Sequence, residues 1–140
     1  MKHKRMRVIL GVVAAVVILA IGWFKWPVRL TKVDTSEVGL IVLLDGTTLN
    51  RVEISDTETI DRLMKEFRSV KLQRERLVVP SGGYHIWVRV CKPDMEIVSD
   101  FSVNGSERIK KDPFFYKVLG ESMDVAYLEQ LIEEAQDTEE

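Results

Sequence analysis

Cysteine is nearly missing from this chain: Cys91 stands alone in 140 residues. A single thiol excludes an internal disulfide and a thiolate metal cage. Histidine is almost as scarce, with only His3 and His85. His85 and Cys91 fall short of the three or four ligands a zinc site needs, so neither a metal nor a cofactor is expected. Pairing of Ser81 or Ser99 with His85 as nucleophile and base has no sequence context to mark it. Gly82-Gly83 lacks the flanking lysine and the helix start of a phosphate loop. Internal repeats are missing too. With no catalytic set in view, the chain reads as a non-enzyme.

An excess of positive charge is also lacking. The formal charge of −2 hides an asymmetry: residues 1–26 carry five Lys/Arg and no acid. Residues 27–140 carry fifteen Lys/Arg against twenty-two Asp/Glu, a balance of −7. Nucleic-acid binding requires clustered cations, so it is not expected of an acidic domain. The same net charge predicts mild repulsion from anionic lipid headgroups.

What the chain does have is one long apolar run, Val8–Phe24, seventeen residues without a charge. At ~1.5 Å per residue it spans ~26 Å, close to the ~30 Å hydrocarbon core of a bilayer. Lys25 can extend its ammonium group to the headgroups, and Trp23 and Trp26 suit the interface. Pro27 stops the helix. The competing reading is a cleaved signal peptide, with small residues at Ala20 and Gly22. The length of the run and the bulky Trp23-Phe24 directly after that small-residue site favour a retained anchor, and no cysteine near the N-terminus offers a lipid attachment point. Lys2, Lys4, Arg5 and Arg7 place the N-terminus on the cytoplasmic side. The expected division is a basic tail at 1–7, an anchor at 8–26, a spacer at 27–36, an extracytoplasmic α+β domain at 37–136 and an acidic frayed tail at 137–140.

Within the domain, Glu37–Leu44 is almost continuously apolar and reads as a strand deep in a sheet. Asp45-Gly46 turns the chain into a return strand, Thr48–Ile54. Ser55 and Glu58 have the spacing of a capping box. Ile60, Leu63, Met64, Phe67 and Val70 then recur at helical spacing over 56–70. Further strands are read at Leu72–Val79, Tyr84–Cys91 and Glu96–Val103, followed by an Asn104-Gly105 hairpin and a short edge strand at Glu107–Lys111. Asp112-Pro113 breaks the ladder, and the aromatic stretch Phe114–Leu119 reads as one helical turn. Ser122 is placed to cap a last helix packed through Met123, Val125, Leu128, Ile132 and Ala135. The expected fold is an antiparallel sheet of about five strands, with one helix on a face and a C-terminal helix.

Two groups of residues are candidates for binding. His85, Trp87 and Arg89 alternate along one strand and so share a face, giving an aromatic–basic strip able to hold an anionic, sugar or peptide partner. Arg74 and Arg76, with Arg68 and Lys71, form the main basic cluster of the acidic domain. A third feature, Gly11 and Ala15, is a small-xxx-small pair through which the anchor could associate.

The layout resembles that of small extracytoplasmic domains carried behind a membrane anchor or lipoprotein signal in Gram-positive bacteria. The matching pieces are Ile54-Ser55-Asp56-Thr57-Glu58-Thr59-Ile60, Tyr84-His85-Ile86-Trp87-Val88, Asn104-Gly105, and Phe115-Tyr116 before a terminal helix. The resemblance implies placement at a cell membrane and supplies no functional residues. The functional expectation is an anchored interaction or sensing module whose partner is another envelope protein. A hydrolase-like envelope enzyme and an assembly factor acting through its transmembrane helix are the alternatives.

Overall fold

The computed structural model describes residues 1–77, 85–120 and 123–139. Helix α1, Lys2–Lys25, has 24 residues and a mean hydropathy of 2.5 over its most apolar window, none of which is buried. It is long and apolar enough to cross a membrane or to act as a signal sequence. The helix also takes in the basic head, and it ends at Trp26, whose extended backbone (ψ 128°) is what a following proline imposes.

The domain is α+β, built, among the described residues, on one antiparallel sheet of eight strands rather than about five. The strands are β1 (Val28–Arg29), β2 (Leu40–Asp45), β3 (Arg51–Ile54), β4 (Lys71–Leu77), β5 (Ile86–Cys91), β6 (Ile97–Val103), β7 (Arg108–Lys111) and β8 (Phe114–Leu119). Their order across the sheet is β1-β4-β8-β7-β6-β5-β2-β3. Helices α2 (Thr57–Ser69) and α3 (Val125–Glu139) supply the second layer.

The extra strands have local causes. Phe114–Leu119 is a strand and not a helical turn because its alternation is of period two: Tyr116 and Val118 are buried while Lys117 is exposed. Aromatic and β-branched residues fit a pleated surface better than a helix. Asp112-Pro113, with a cis peptide bond, forms the turn that pairs Lys111 with Phe114. With β8 on its far side, β7 lies inside the sheet and not at its edge. The expected spacer is also partly structured. Val28 and Arg29 pair with Leu72 and Lys71, and Leu30 and Thr31 are buried.

Two β-bulges displace side chains from the expected faces. A register shift at Val90/Cys91, where β6 carries the extra residue, sets Ile97 opposite Cys91 and away from the face of Phe101, leaving it 48% exposed, while Cys91 is 3% exposed. A second shift lies between Arg74 and Arg76. Gly39 is required where it stands, since a Cβ there would come within 2.7 Å of the Pro93 backbone.

Helix α2 matches its periodicity, with Ile60, Leu63, Met64 and Phe67 buried. Its N-cap is Asp56 rather than Ser55: Asp56 accepts from the Thr59 N–H at 2.9 Å. Hydrogen bonding from Thr59, its side chain first and its N–H second, holds the Asp56 carboxyl below its ordinary range. The Phe67 ring meets Phe101 edge-on at 5.3 Å, fixing α2 over the middle of the sheet. Helix α3 packs on β2 and β3 through Leu128 and Ile132. Asp124 caps it by accepting from the Tyr127 N–H, while the expected cap Ser122 lies outside the described residues. The helix continues through the expected frayed tail to Glu139. Along it, Gln136 donates to the Arg51 carbonyl and Thr138 to the Glu134 carbonyl.

Candidate interaction surface

Both helices cover the same face of the sheet, the one lined by Ile41, Leu43, Ile86, Val88, Val90, Phe101, Val103, Ile109, Tyr116 and Val118. Alternate positions turn the other way, and no helix among the described residues packs on that open face. Its registers run Glu53–Val42–Arg89–Asp100 and Arg51–Leu44–Trp87–Ser102–Lys110–Phe115–Arg76 across neighbouring strands.

The open face has two unlike halves. On β6, β5, β2 and β3 the charges are matched. Asp100 accepts from both the Trp87 indole N–H and Arg89 Nη2, the latter at 3.3 Å. The Arg89 guanidinium lies 4.2 Å from the Trp87 ring centre, and Arg51 pairs with Glu53 at 2.6 Å. Trp87 borders two depressions. One, of about 460 Å³, also involves Asp100, Ser102 and Lys110, and a smaller one of about 60 Å³ is walled by Val42, Leu44, Arg51 and Arg89.

On β7, β8 and β4 cations dominate. Arg76, Arg108, Lys110 and Lys117 turn to the open face; Glu75 pairs with Arg108 at 3.4 Å, and Asp112 lines the depression beside Lys110. Arg108 stands directly opposite Lys117, and Arg29 opposite Lys71. Arg76 lies over the Phe115 ring at 4.6 Å. Among the described residues, Lys110 and Lys117 make no side-chain hydrogen bond or ion pair.

The expected His85–Trp87–Arg89 strip is therefore divided. β5 begins at Ile86, so His85 precedes the alternation. Its N–H donates to Asn104 Oδ1, and its ring meets Glu129 of α3 at 2.6 Å. Trp87 and Arg89 stay together on the open face, and Tyr84 lies outside the described residues.

The expected Arg74–Arg76 cluster is also divided, because the bulge between them reverses the alternation. Arg76 faces outward opposite Phe115, whereas Arg74 lies opposite the inward Tyr116. Arg74 has a different task. Its Nη1 donates to the Trp23 carbonyl at 2.9 Å, its guanidinium lies 3.9 Å from the Trp23 ring centre, and Gln73 donates to the Lys25 carbonyl at 3.2 Å. Phe114 adds edge-on contacts with Trp23 and Phe24 at 6.1 and 6.0 Å. Two carbonyls at the C-terminal end of α1, where the helix dipole is negative, are thus satisfied from β4, one of them by a cation. Sequence patterning could not find this clasp, since Arg74 and Trp23 are 51 residues apart.

Burial shifts two other groups. It pushes the Lys111 ammonium below its ordinary value, where Nζ donates to the Leu30 carbonyl at 2.8 Å. It pushes the Cys91 thiol up, away from the thiolate a reactive cysteine needs. Among the described residues no group of three or more His, Cys, Asp or Glu is placed to hold a metal ion. No protein-family model, curated protein or solved structure matches the chain.

Proposed function

We propose that this protein is a single-pass membrane protein with a cytoplasmic N-terminus, whose extracytoplasmic domain is an interaction module for another envelope protein. The clasp ties the end of α1 to the domain through Trp23, Phe24 and Lys25, and the length of the apolar run with the bulky Trp23-Phe24 directly after Gly22 supports a retained anchor over cleavage. The basic residues Lys2, Lys4, Arg5 and Arg7 support the orientation.

The observation that carries the interaction reading is the Trp87–Arg89–Asp100 group between two depressions on the open face of the sheet. An aromatic side chain beside a matched ion pair, set in shallow relief, has the composition of a protein-contact centre. A photo-crosslinking residue at Ser102, which faces Trp87 across the ladder, tests it in membranes. A discrete adduct is expected, reduced at least ~10-fold when Trp87→Ala and Arg89→Ala are added, as for loss of a hot-spot pair. The double variant should keep its melting midpoint to within a few degrees. If Trp87→Ala alone melts the domain, Trp87 is a packing residue and the surface reading falls.

A further inference from the structure

We propose that the β7–β8–β4 half of the open face rests on anionic lipid headgroups of the leaflet in which the anchor ends. This assignment rests on the membrane-anchored reading above. The net charge of residues 27–140 argues against it only if the charges are mixed, and they are segregated. Residues 120–140 hold eight acids and no base, and α3 covers the opposite face. Among the described residues the open half carries Arg76, Arg108, Lys110 and Lys117 against Glu75, with Asp112 and Asp100 at the depression beside Lys110.

Two of these cations have no partner among the described residues, and Lys117 directly opposes Arg108. Like charges placed face to face on a ladder are unfavourable. They persist without cost when a negative surface lies against them. The position of the patch says which surface. Phe114 touches Trp23 and Phe24 of the anchor, and its neighbour Phe115 lies between Arg76 on β4 and Lys110 on β7. Trp23 and Trp26 are 56% and 71% exposed. Aromatic rings interleaved with long-stemmed cations, beside the end of an apolar helix, are the chemistry of a bilayer interface.

The full chain in vesicles of phosphatidylcholine, with and without phosphatidylglycerol, provides the test. A membrane-impermeant acylating reagent with mass-spectrometric readout reports each amine. Lys110 and Lys117 should react at least ~3-fold more slowly when phosphatidylglycerol is present, and high salt should restore their rates. Lys65, exposed on α2, should not change. Equal rates in both vesicles overturn the assignment. So does protection that appears only with an added soluble polyanion, or only as protein density rises, which would indicate a polymer or a second copy. Carbonate extraction separates the two readings. A chain that resists extraction but shows equal rates loses only the lipid contact, and a chain that is extracted loses the anchor reading as well.

Discussion

On the covered face of the sheet, Ile41, Leu43, Ile86, Val88, Val90, Val103 and Ile109 are 0% exposed. On the open face of the same sheet stand Arg51, Trp87, Arg89, Asp100, Arg108, Lys110 and Lys117. One face meets a layer that excludes water, so any change of volume there is felt directly. The other tolerates substitution structurally and carries chemistry that the core has no use for. Under the proposed function, fold stability and partner recognition fall on opposite sides of a layer one residue thick, and mutations should separate them.

The sharpest separation comes from Phe67. It is 0% exposed and edge-on to Phe101 at 5.3 Å. Phe67→Ala should cost ~3–5 kcal/mol through lost transfer energy and the cavity left behind. Chemical denaturation of the domain checks this. A loss below ~1 kcal/mol would mean that α2 collapses onto the sheet, and the division between faces would be weaker than drawn.

The covered side was the more legible of the two in the sequence. Period-3.6 spacing identified the buried residues of α2, and period-two spacing identified Ile86, Val88 and Val90. These patterns survive because burial selects residues one position at a time. The open face was harder to read for a physical reason: its grouping depends on registers and bulges between strands distant in sequence. One bulge separates Arg74 from Arg76, and the start of β5 separates His85 from Trp87. Lys110 and Lys117 gave no sequence signal, because their nearness to the end of α1 follows from β8 lying beside β4. Net charge is silent on this grouping for the same reason, since a sum over the chain contains no geometry.

A second contrast concerns how each side handles a carboxylate. Glu66 of α2 sits at the rim of the covered side, where its Oε1 accepts from the Asp124 N–H at 2.7 Å. Burial raises its pKa above the ordinary 4.5; the Asp124 charge pushes the same way, while the amide bond and Arg62 oppose it. The folded state therefore holds this proton more firmly than the unfolded state. Glu66 stabilises the fold below its unfolded value, and that contribution is lost as pH rises through the raised folded value. Glu66→Gln keeps an acceptor oxygen and removes the charge. Its melting midpoint should match or exceed that of the wild type at neutral pH, by roughly a few degrees because the site is partly screened. The gap should narrow on acidification toward 4.5. Asp56 works in the opposite direction, but only below its ordinary 3.8, so the two windows do not overlap. A gap independent of pH would show that Glu66 acts by packing alone.

The smallest expected effect tests the open side. Lys117 opposes Arg108 directly, and both side chains are solvated. Lys117→Glu replaces a like-charged cross-strand pair with an opposite one, which should stabilise the isolated chain in neutral detergent by ~0.2–1 kcal/mol. The lower part of that range is expected, since Arg108 already has Glu75 within 3.4 Å. The same substitution should weaken the protection of Lys110 by phosphatidylglycerol vesicles. A residue whose removal improves the fold while impairing its lipid contact is being kept for the contact. If Lys117→Glu destabilises the domain instead, the ammonium has a structural role, and the contrast between a face for stability and a face for recognition breaks at β8.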